Sequence, residues 1–383
     1  MSATTMRILF IASLHHPETL QRERATAQAN NQPEPLFPTS YAFHFWEKAL
    51  RKQGHVLDVF YRNVSGFGSQ DISTLKFEQY TNRITVKRIM QAVSHRLPYR
   101  LNPDLRQRNA NLIAQARRFQ PTHLWLIGDN RVIHADTLAT LKAELGCKVI
   151  FSSGTSPIVF SHPIEREATP LFELVLTNDF YHGIQWRELG AREMVCLPFV
   201  AIDPDFHYPR EAQPDYACDV GFVGTLLPAN LYSERVDALA SLGDGDIDLG
   251  IWSVHDVPSV LQAYRRGSAL GDTMLDVVSS AKISLNVHGN FMLYGGNMRL
   301  FETAGVGTFQ IVDERPGISD WFTVGEHLVT FRDADDLRDK VTYYLAHPDE
   351  RERIAEAGRQ HALAHHTYDH RLAALLPHLE GLE

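Results

Sequence analysis

Short apolar segments alternate with amphipathic segments along most of the chain. In the first half the apolar runs predict strands at residues 7–13, 56–61, 123–128, 148–151, 174–177 and 194–197. Helical periodicity predicts helices at 40–53, 109–119 and 138–145. Nearly continuous apolar strands separated by helices are typical of a parallel sheet covered on both faces. The first half therefore predicts an α/β domain.

The alternation stops at residues 201–217, which are rich in proline and acidic side chains, and then starts again. Strands are predicted at 219–224, 247–252, 283–287 and 328–331, with a further strand in the apolar run between Gly305 and Val312, and helices are predicted at 233–242 and 333–345. A helical tail covers 349–382, where Pro377 is expected to kink or divide it. The fold class is thus α/β, with two doubly wound domains facing a central cleft where ligands are expected. The expected boundaries are 1–200, a linker at 201–217, 218–360, and a C-terminal helix at 361–383 that packs back towards the N-domain.

Composition narrows the class of protein. A chain of 383 residues is long enough for two domains, and its net charge of −9 argues against general nucleic-acid binding. The three cysteines are far apart in the sequence, which is typical of a reducing cytoplasm rather than of a disulfide framework. We find no apolar run of about 20 residues and no apolar signal-peptide region at the N-terminus. A cytoplasmic location is therefore expected.

Residues 83–118 have the opposite charge balance. Nine basic residues occur there with Asp104 as the single acid. In an acidic protein this asymmetry favours an anionic partner, such as an acidic acceptor or lipid headgroups at the inner membrane face. The alternative is a solvated helical face.

The segment from Tyr294 to Glu302 carries the most specific chemistry. Gly295, Gly296 and Asn297 precede a short amphipathic helix whose free N–H groups and partial positive charge suit a phosphate. Arg299 in the first turn can add a bidentate phosphate contact, and Glu302 can accept hydrogen bonds from ribose hydroxyls. The alternative is a capped helix with an Arg–Glu pair at i,i+3, worth about a few tenths of a kcal/mol.

Other candidates lie where predicted strands end. His15 and His16 follow the first strand, and Asp129 with Asn130 follows the third. Thr155 follows the fourth strand. Each is a candidate for substrate contact or an ordinary loop residue. Trp252, at the end of a strand in the second half, can stack on a nucleotide base or pack in the core.

Two patterns resemble metal sites. Asp-x-Asp spacing occurs at 203–205, 244–246 and 333–335, always at a predicted turn or helix cap, where Asp is favoured for its hydrogen bonds to the backbone. His361, His365, His366 and His370 include helical spacings, but no carboxylate or cysteine accompanies them in a recognised metal-binding spacing. We therefore expect no metal.

Several segments from about 174 to 370 together resemble the GT-B glycosyltransferases, specifically the CgeB-like branch related to the retaining group 1 family. The resemblance is carried by residues 190–199, 203–204, 219–225, 281–288, 297–302, 317–322, 354–358 and 366–368. It implies two Rossmann-like domains, the second holding a nucleotide-diphospho-sugar as co-substrate, with no cofactor and no metal.

The resemblance also implies a donor site. In group 1 relatives two glutamates separated by seven residues hold the donor; Glu302 occupies the second position, and Tyr294 stands at the first, where this chain departs from the pattern. Relatives carry a basic pair on the diphosphate, for which Arg299 and Arg235 are the candidates. The expected donor-binding residues are Gly224, Thr225, Arg235, Trp252, His288, Tyr294, Gly295, Gly296, Asn297, Met298, Arg299 and Glu302.

The function that follows is transfer of a sugar from a nucleotide donor to an acceptor hydroxyl, with retention and without a metal. With retention, the departing phosphate oxygen takes the acceptor proton; with inversion, Asp129 or His16 would be the base. The candidate catalytic residues are therefore Arg299, Glu302, His16 and Asp129, and the candidate acceptor-binding residues are His15, His16, Asn130 and Thr155. The alternatives are a nucleotide-sugar epimerase and a non-catalytic relative that binds nucleotide sugars.

Overall fold

The structure is a computed structural model that describes residues 5–74, 97–243 and 246–382. The chain forms two compact units. Unit 1 comprises Met1–Leu176, Gly183–Val195 and Pro377–Glu383, and unit 2 comprises Thr177–His182 and Cys196–Leu376. Within the described ranges no helix is both long and apolar enough to cross a bilayer.

Unit 1 is built on a six-stranded sheet with the order β2-β1-β3-β4-β5-β6. Its strands are β1 (Arg7–Ala12), β2 (Val56–Tyr61), β3 (His123–Ile127), β4 (Lys148–Ser153), β5 (Leu174–Thr177) and β6 (Glu193–Cys196). Its helices are α1 (Pro17–Ala29), α2 (Ala42–Lys52), α3 (Pro103–Phe119), α4 (Ala135–Leu145), α5 (Pro157–Phe160), α6 (Pro163–Ala168) and α7 (Phe180–Glu188). Strands β2, β1, β3 and β4 pair in parallel. The chain passes from β1 to β2 on one side of β1 and then returns to place β3 on the other side. The switch point of this sheet therefore lies between β1 and β3.

The apolar runs at the centre of the unit 1 sheet become buried strands. Residues 8–12 of β1 and 124–126 of β3 are completely buried. Phe10 on β1 packs against Trp125 on β3 with a ring separation of 5.4 Å. Burial on both faces explains why these strands are apolar without interruption.

Unit 2 has a second six-stranded sheet, with the order β12-β11-β10-β7-β8-β9 and all pairs parallel. Its strands are β7 (Cys218–Val223), β8 (Leu249–Trp252), β9 (Arg265–Gly267), β10 (Ala281–Asn286), β11 (Gln310–Asp313) and β12 (Val329–Phe331). Its helices are α8 (Ala229–Leu242), α9 (Asp272–Ser280), α10 (Met298–Gly305), α11 (Ile318–Trp321), α12 (Ala334–Ala346) and α13 (Pro348–His365); α14 (Tyr368–Glu380) ends the described chain. This order is that of a dinucleotide-binding Rossmann sheet, with its switch point between β7 and β10.

The predicted fold class, α/β with two doubly wound parallel sheets, is confirmed. Of the two effects predicted for Pro377, a kink or a division of the tail, the division does not occur there: the helix breaks at His366 and Thr367, and Pro377 lies inside α14. Thr367 forms a parallel β-bridge with Ile202, which accounts for the interruption there. Apart from this bridge and a 3-10 turn at Pro214–Tyr216, residues 201–217 contain no regular structure.

Part of the basic segment lies outside the described residues, including Arg83, Lys87, Arg88 and Arg96. In the described part, three of the arginines form ion pairs. Arg100 pairs with Glu167, Arg108 with Asp104, and Arg117 with Glu144. Three of the five basic residues that the structure describes in this segment therefore have an acidic partner.

Candidate functional site

The loops that follow β7 and β10 leave the sheet of unit 2 at its switch point. Gly224 and Thr225 follow β7, and Val287 and His288 follow β10. Open α/β sheets bind ligands outside the carboxyl ends of strands at such a point, because adjacent loops diverge there and leave a crevice. The donor residues predicted at 224–225 and 288 therefore lie at the edge where a ligand is expected.

Helix α10 begins behind two glycines that no other residue can replace without strain. Gly295 and Gly296 have φ angles of 112° and 90°, in the region that L side chains rarely adopt. A Cβ atom on Gly296 would lie 2.7 Å from the Trp321 ring and 2.9 Å from the carbonyl oxygen of Asn178. The glycine pair lets the backbone turn tightly into the helix.

Asn297 is the N-cap of α10. Its Oδ1 accepts a hydrogen bond from the N–H of Leu300 at 3.0 Å. Its side-chain amide also forms a reciprocal pair with the amide of Asn286 at the end of β10, with N···O distances of 3.0 and 2.7 Å. Asn297 therefore fixes the start of α10 against the sheet.

His288 links the same helix to the neighbouring strand. It is fully buried, and its Nδ1–H donates to Oδ1 of Asp313 at 2.7 Å. Its Nε2 accepts the N–H of Asn297 at 3.4 Å. The other oxygen of Asp313 accepts from Nε of Arg315 at 2.7 Å. Burial opposes ionisation of Asp313, but His288 and Arg315 outweigh it and hold the pKa of this carboxyl below its usual range. The structure thus gives His288 a positioning role.

The N-terminal end of α10 presents unpaired donors. The backbone N–H groups of Gly295, Gly296, Met298 and Arg299 donate to no acceptor in the described chain. Together with the helix dipole, these four groups create partial positive charge at the glycine turn. Such a terminus is suited to bind an anion.

Arg299 and Glu302 pair with each other along α10. Nη1 of Arg299 lies 2.9 Å from Oε2 of Glu302, and both side chains are largely buried. The Arg299 guanidinium also contacts the sulfur of Met274 on α9. In this structure Arg299 therefore forms the i,i+3 pair that was the alternative prediction for this segment.

Arg235 on α8 contacts the loops that follow β7 and β10, the two strands on either side of the switch point. Its Nε donates to the carbonyl oxygen of Val287 at 2.7 Å, and its Nη1 donates to that of Thr225 at 2.8 Å. Its guanidinium lies 4.6 Å from the centre of the Tyr232 ring. No carboxylate of the described chain lies within 4 Å of it, which is uncommon for a partly buried arginine.

The electrostatics around Arg235 favour an anion. Burial is the main cause that lowers the pKa of Arg235, and repulsion from Arg299 adds to it, while Tyr232 and Asp313 act in the opposite direction. A bound oxyanion would stabilise the partly buried Arg235 guanidinium, which has no carboxylate partner among the described residues.

The remaining two donor candidates have different surroundings. Trp252 is 2% exposed and packs in the core of unit 2, with the Arg266 guanidinium over its ring at 5.7 Å. Tyr294 is partly exposed and packs against Trp321, and its hydroxyl donates to Asp320. That hydrogen bond is the largest cause that raises the pKa of Tyr294 to about 12. Trp252 thus packs in the core, which was the alternative to the prediction that it stacks on a nucleotide base.

The acceptor candidates of unit 1 follow β1, β3 and β4 at the edge where these strands end. The His15 and Tyr41 rings are tilted against each other with centres 5.0 Å apart, and His16 adopts a left-handed conformation with φ 42° at the start of α1. Asp129 is 3.7 Å from Arg131. The side chain of Asn130 bonds the backbone of Ile133, so it closes its own loop. Thr155 likewise bonds Ser153 within its loop.

Sequence reasoning missed two buried charged residues at this edge. Arg62 directly follows β2, and Glu165 lies on α6, where its Oε2 accepts the N–H of Asn130 at 2.5 Å. Burial is the main cause that raises the pKa of Glu165 to about 7, and the nearby Asp129 adds to it. The rule that identified His15, applied to the end of β2, would have identified Arg62; no sequence signal marks Glu165.

The patterns that resemble metal sites form turns and packing contacts. Asp333 caps α12 through the N–H of Asp336, and Asp203 accepts the N–H of Asp205. Asp244 lies outside the described residues. His361 and His366 both donate to the carbonyl oxygen of Trp321. The described chain brings together no group of three His, Cys, Asp or Glu side chains suited to a metal ion.

Comparison with known proteins agrees with this architecture. Residues 234–377 match a family model described as "Glycosyl transferase-like". HepE from Anabaena, solved with UDP, is similar over 98% of this chain and 100% of its own, with TM-score 0.56 and 13% identity. Sucrose-phosphate synthase from Thermosynechococcus elongatus is similar over 98% of each chain, with TM-score 0.60 and 12% identity. The fold is that of the GT-B glycosyltransferases.

Further GT-B structures match along their full length. TarM is similar over 99% of both chains, with TM-score 0.58 and 10% identity. No curated protein sequence matches this chain. At these identities the structural likeness establishes the fold, and the role of individual residues has to be argued from the site itself.

Proposed function

We propose that this protein is a glycosyltransferase that moves a sugar from a nucleoside-diphosphate-sugar to an acceptor hydroxyl. The observation that carries the proposal is Arg235, which lies at the switch point of unit 2 without a carboxylate partner. In the same unit, the four unpaired N–H groups of the glycine turn provide a second set of donors for phosphate oxygens. The GT-B fold and the glycosyltransferase-like segment at 234–377 support this assignment.

The proposed chemistry needs positive charge at the leaving group. Loss of the diphosphate from the anomeric carbon creates an oxocarbenium-like centre and a developing charge on the phosphate oxygens. Arg235 and the start of α10 would stabilise that charge without a metal ion. We further propose retention, in which the departing phosphate oxygen takes the proton of the acceptor hydroxyl.

The nucleotide is proposed to extend from the glycine turn along α10. Glu302 would then accept hydrogen bonds from ribose hydroxyls with its partner Arg299 holding it in place. Because HepE was solved with UDP and with UDP-glucose, uridine diphosphate is the first nucleotide to test. The sequence resemblance supports a place in the CgeB-like branch.

The acceptor is proposed to bind unit 1 near His15, His16 and Asp129. If transfer proceeds with inversion instead, Asp129 or His16 would act as the base. The anomeric configuration of the product, read by NMR, distinguishes the two mechanisms.

The decisive experiment is a thermal-shift screen of nucleotide sugars followed by product analysis. We expect one nucleotide sugar to raise Tm, as ligands of the folded state do. With a suitable acceptor, nucleoside diphosphate should be released and a glycoside formed at the same rate in EDTA. An epimerised sugar without transfer would identify an epimerase, and binding without turnover would identify a non-catalytic relative. If no nucleotide binds, the proposal is refuted.

A further inference from the structure

Arg62 is held at the switch point of unit 1 by its own backbone. Its N–H donates to the carbonyl oxygen of Ala12 at the end of β1, at 2.9 Å. Its carbonyl oxygen accepts from Nη1 of Arg108 on α3, also at 2.9 Å. The residue is 6% exposed. Its position is therefore fixed independently of what its side chain binds.

The Arg62 guanidinium has no counter-ion among the described residues. In that part of the chain its one side-chain hydrogen bond runs from Nη1 to the carbonyl oxygen of Gly128 after β3, at 3.2 Å, and no carboxylate lies within 4 Å. Nε and Nη2, which form the two-donor edge of the guanidinium, donate to no acceptor in the described chain. Burying an unpaired charge is unfavourable, and such residues are usually paired or bind ligands.

The nearby acids are engaged elsewhere. Asp129 lies beside Arg131, and Glu165 accepts the N–H of Asn130. Both carboxylates act on Arg62 only through the electrostatic field and do not pair with it. The positive charge of Arg62 is thus not neutralised by a direct contact within the described chain.

Unit 2 repeats this arrangement. Arg235 also donates to the carbonyl oxygens of loops at a switch point and also lacks a carboxylate partner. Two sheets of the same class thus each place a partly or wholly buried arginine, held by backbone carbonyls, where an open α/β sheet binds its ligand.

We propose that Arg62 forms an anion-binding subsite in unit 1 that holds a phosphate or carboxylate group of the acceptor. That the bound anion belongs to the acceptor substrate rests on the proposed function. Nε and Nη2 of Arg62 bind two oxygens of the anion side by side, the geometry in which guanidinium recognises both groups. Among the described arginines of residues 83–118, Arg100, Arg108 and Arg117 already pair with carboxylates, whereas Arg62 pairs with none in the described chain.

The test titrates the full-length protein with inorganic phosphate and, separately, with methyl glucuronate, in the presence of saturating UDP. We compare wild type with Arg62→Gln, Arg62→Lys and the matched control Arg131→Gln, an exposed arginine at the same edge. We expect Arg62→Gln to weaken binding of one anion at least tenfold, Arg62→Lys to weaken it less, and Arg131→Gln to change it less than twofold. The anion that responds shows whether the subsite prefers phosphate or carboxylate.

The outcomes separate this inference from the proposed function. Failure of wild type to bind any nucleotide refutes the proposed function, and titration of the anions without nucleotide still tests Arg62. If Arg62→Gln binds both anions like wild type, the subsite is refuted; if it also loses UDP affinity, Arg62 belongs to the donor and the acceptor assignment is overturned. If Arg62→Gln does not fold, unchanged anion affinity in Arg62→Lys refutes the subsite.

Discussion

The variant Arg235→Gln tests whether Arg235 binds the nucleotide or only stabilises the fold. In the free protein the change removes two hydrogen bonds to backbone carbonyls, at 2.7 and 2.8 Å, but it also removes a partly buried charge without a carboxylate partner. These effects oppose each other, so we expect the free energy of unfolding to change by about 1 kcal/mol or less, or roughly 2–4 °C in Tm. Two lost charge-assisted bonds to a diphosphate should weaken UDP binding by about 3 kcal/mol, roughly 100-fold in Kd.

Arg210 is the matched control, because it is a largely buried arginine of unit 2 whose charge is already paired. Its Nη2 lies 2.7 Å from Asp272 and its Nη1 lies 3.1 Å from Asp276, both on α9. We expect Arg210→Gln to lower the free energy of unfolding by about 2 kcal/mol, mainly through loss of the contact to the partly buried Asp276, and to change UDP affinity by less than about threefold. Isothermal titration calorimetry and thermal melts measure both quantities. Equal loss of UDP affinity in both variants, or none in Arg235→Gln, would refute the reasoning.

Three further predictions concern stability. Gly296→Ala should lower the free energy of unfolding by about 1–3 kcal/mol, since its Cβ would lie 2.7 Å from Trp321 at a φ of 90°; an unchanged melting curve would contradict this. Asp313 has a lowered pKa in the folded state, so its stabilisation is complete above about pH 4 and is lost as pH falls further. Asp313→Asn should therefore lower Tm at pH 7 and flatten the acid limb of Tm against pH. Glu165 has a raised pKa of about 7, so its burial destabilises the fold increasingly from about pH 4.5 to 7. Glu165→Gln should raise Tm at pH 8 and have little effect at pH 4.5; an equal effect at both would contradict the assignment.

The elements that could be predicted from sequence are those with a continuous apolar signal. Strands β1 and β10, for example, were predicted to within two residues at each end because both faces of each strand are buried. Strand β9 could not be predicted, since it has three residues, two of them arginine, at the edge of its sheet. Helix α1 escaped prediction because only Leu20 and Ala27 are buried, which leaves too few apolar positions for a helical pattern.

Those parts of the candidate site that depend on local backbone geometry could also be predicted from the sequence. The glycine pair and the cap at Asn297 follow from local backbone rules, and the structure contains both features. Spacing also predicts the i,i+3 pair of Arg299 with Glu302, which the structure contains, but it does not predict the contact of the guanidinium with Met274, which depends on tertiary packing. The role proposed for Arg62 depends on the folded chain placing no carboxylate close enough to pair with it. The sequence alone does not show which side chains the fold brings near Arg62.

The reciprocal amide pair of Asn286 and Asn297 has a consequence for how this protein can evolve. Each side chain supplies the donor and the acceptor that the other requires, and the oxygen of Asn297 also holds the N–H of Leu300. A substitution at either position leaves a buried amide unpaired at the start of α10, whereas a suitable simultaneous change restores both partners. The two positions are therefore expected to coevolve, because a change at one of them preserves the start of α10 only when the other changes with it.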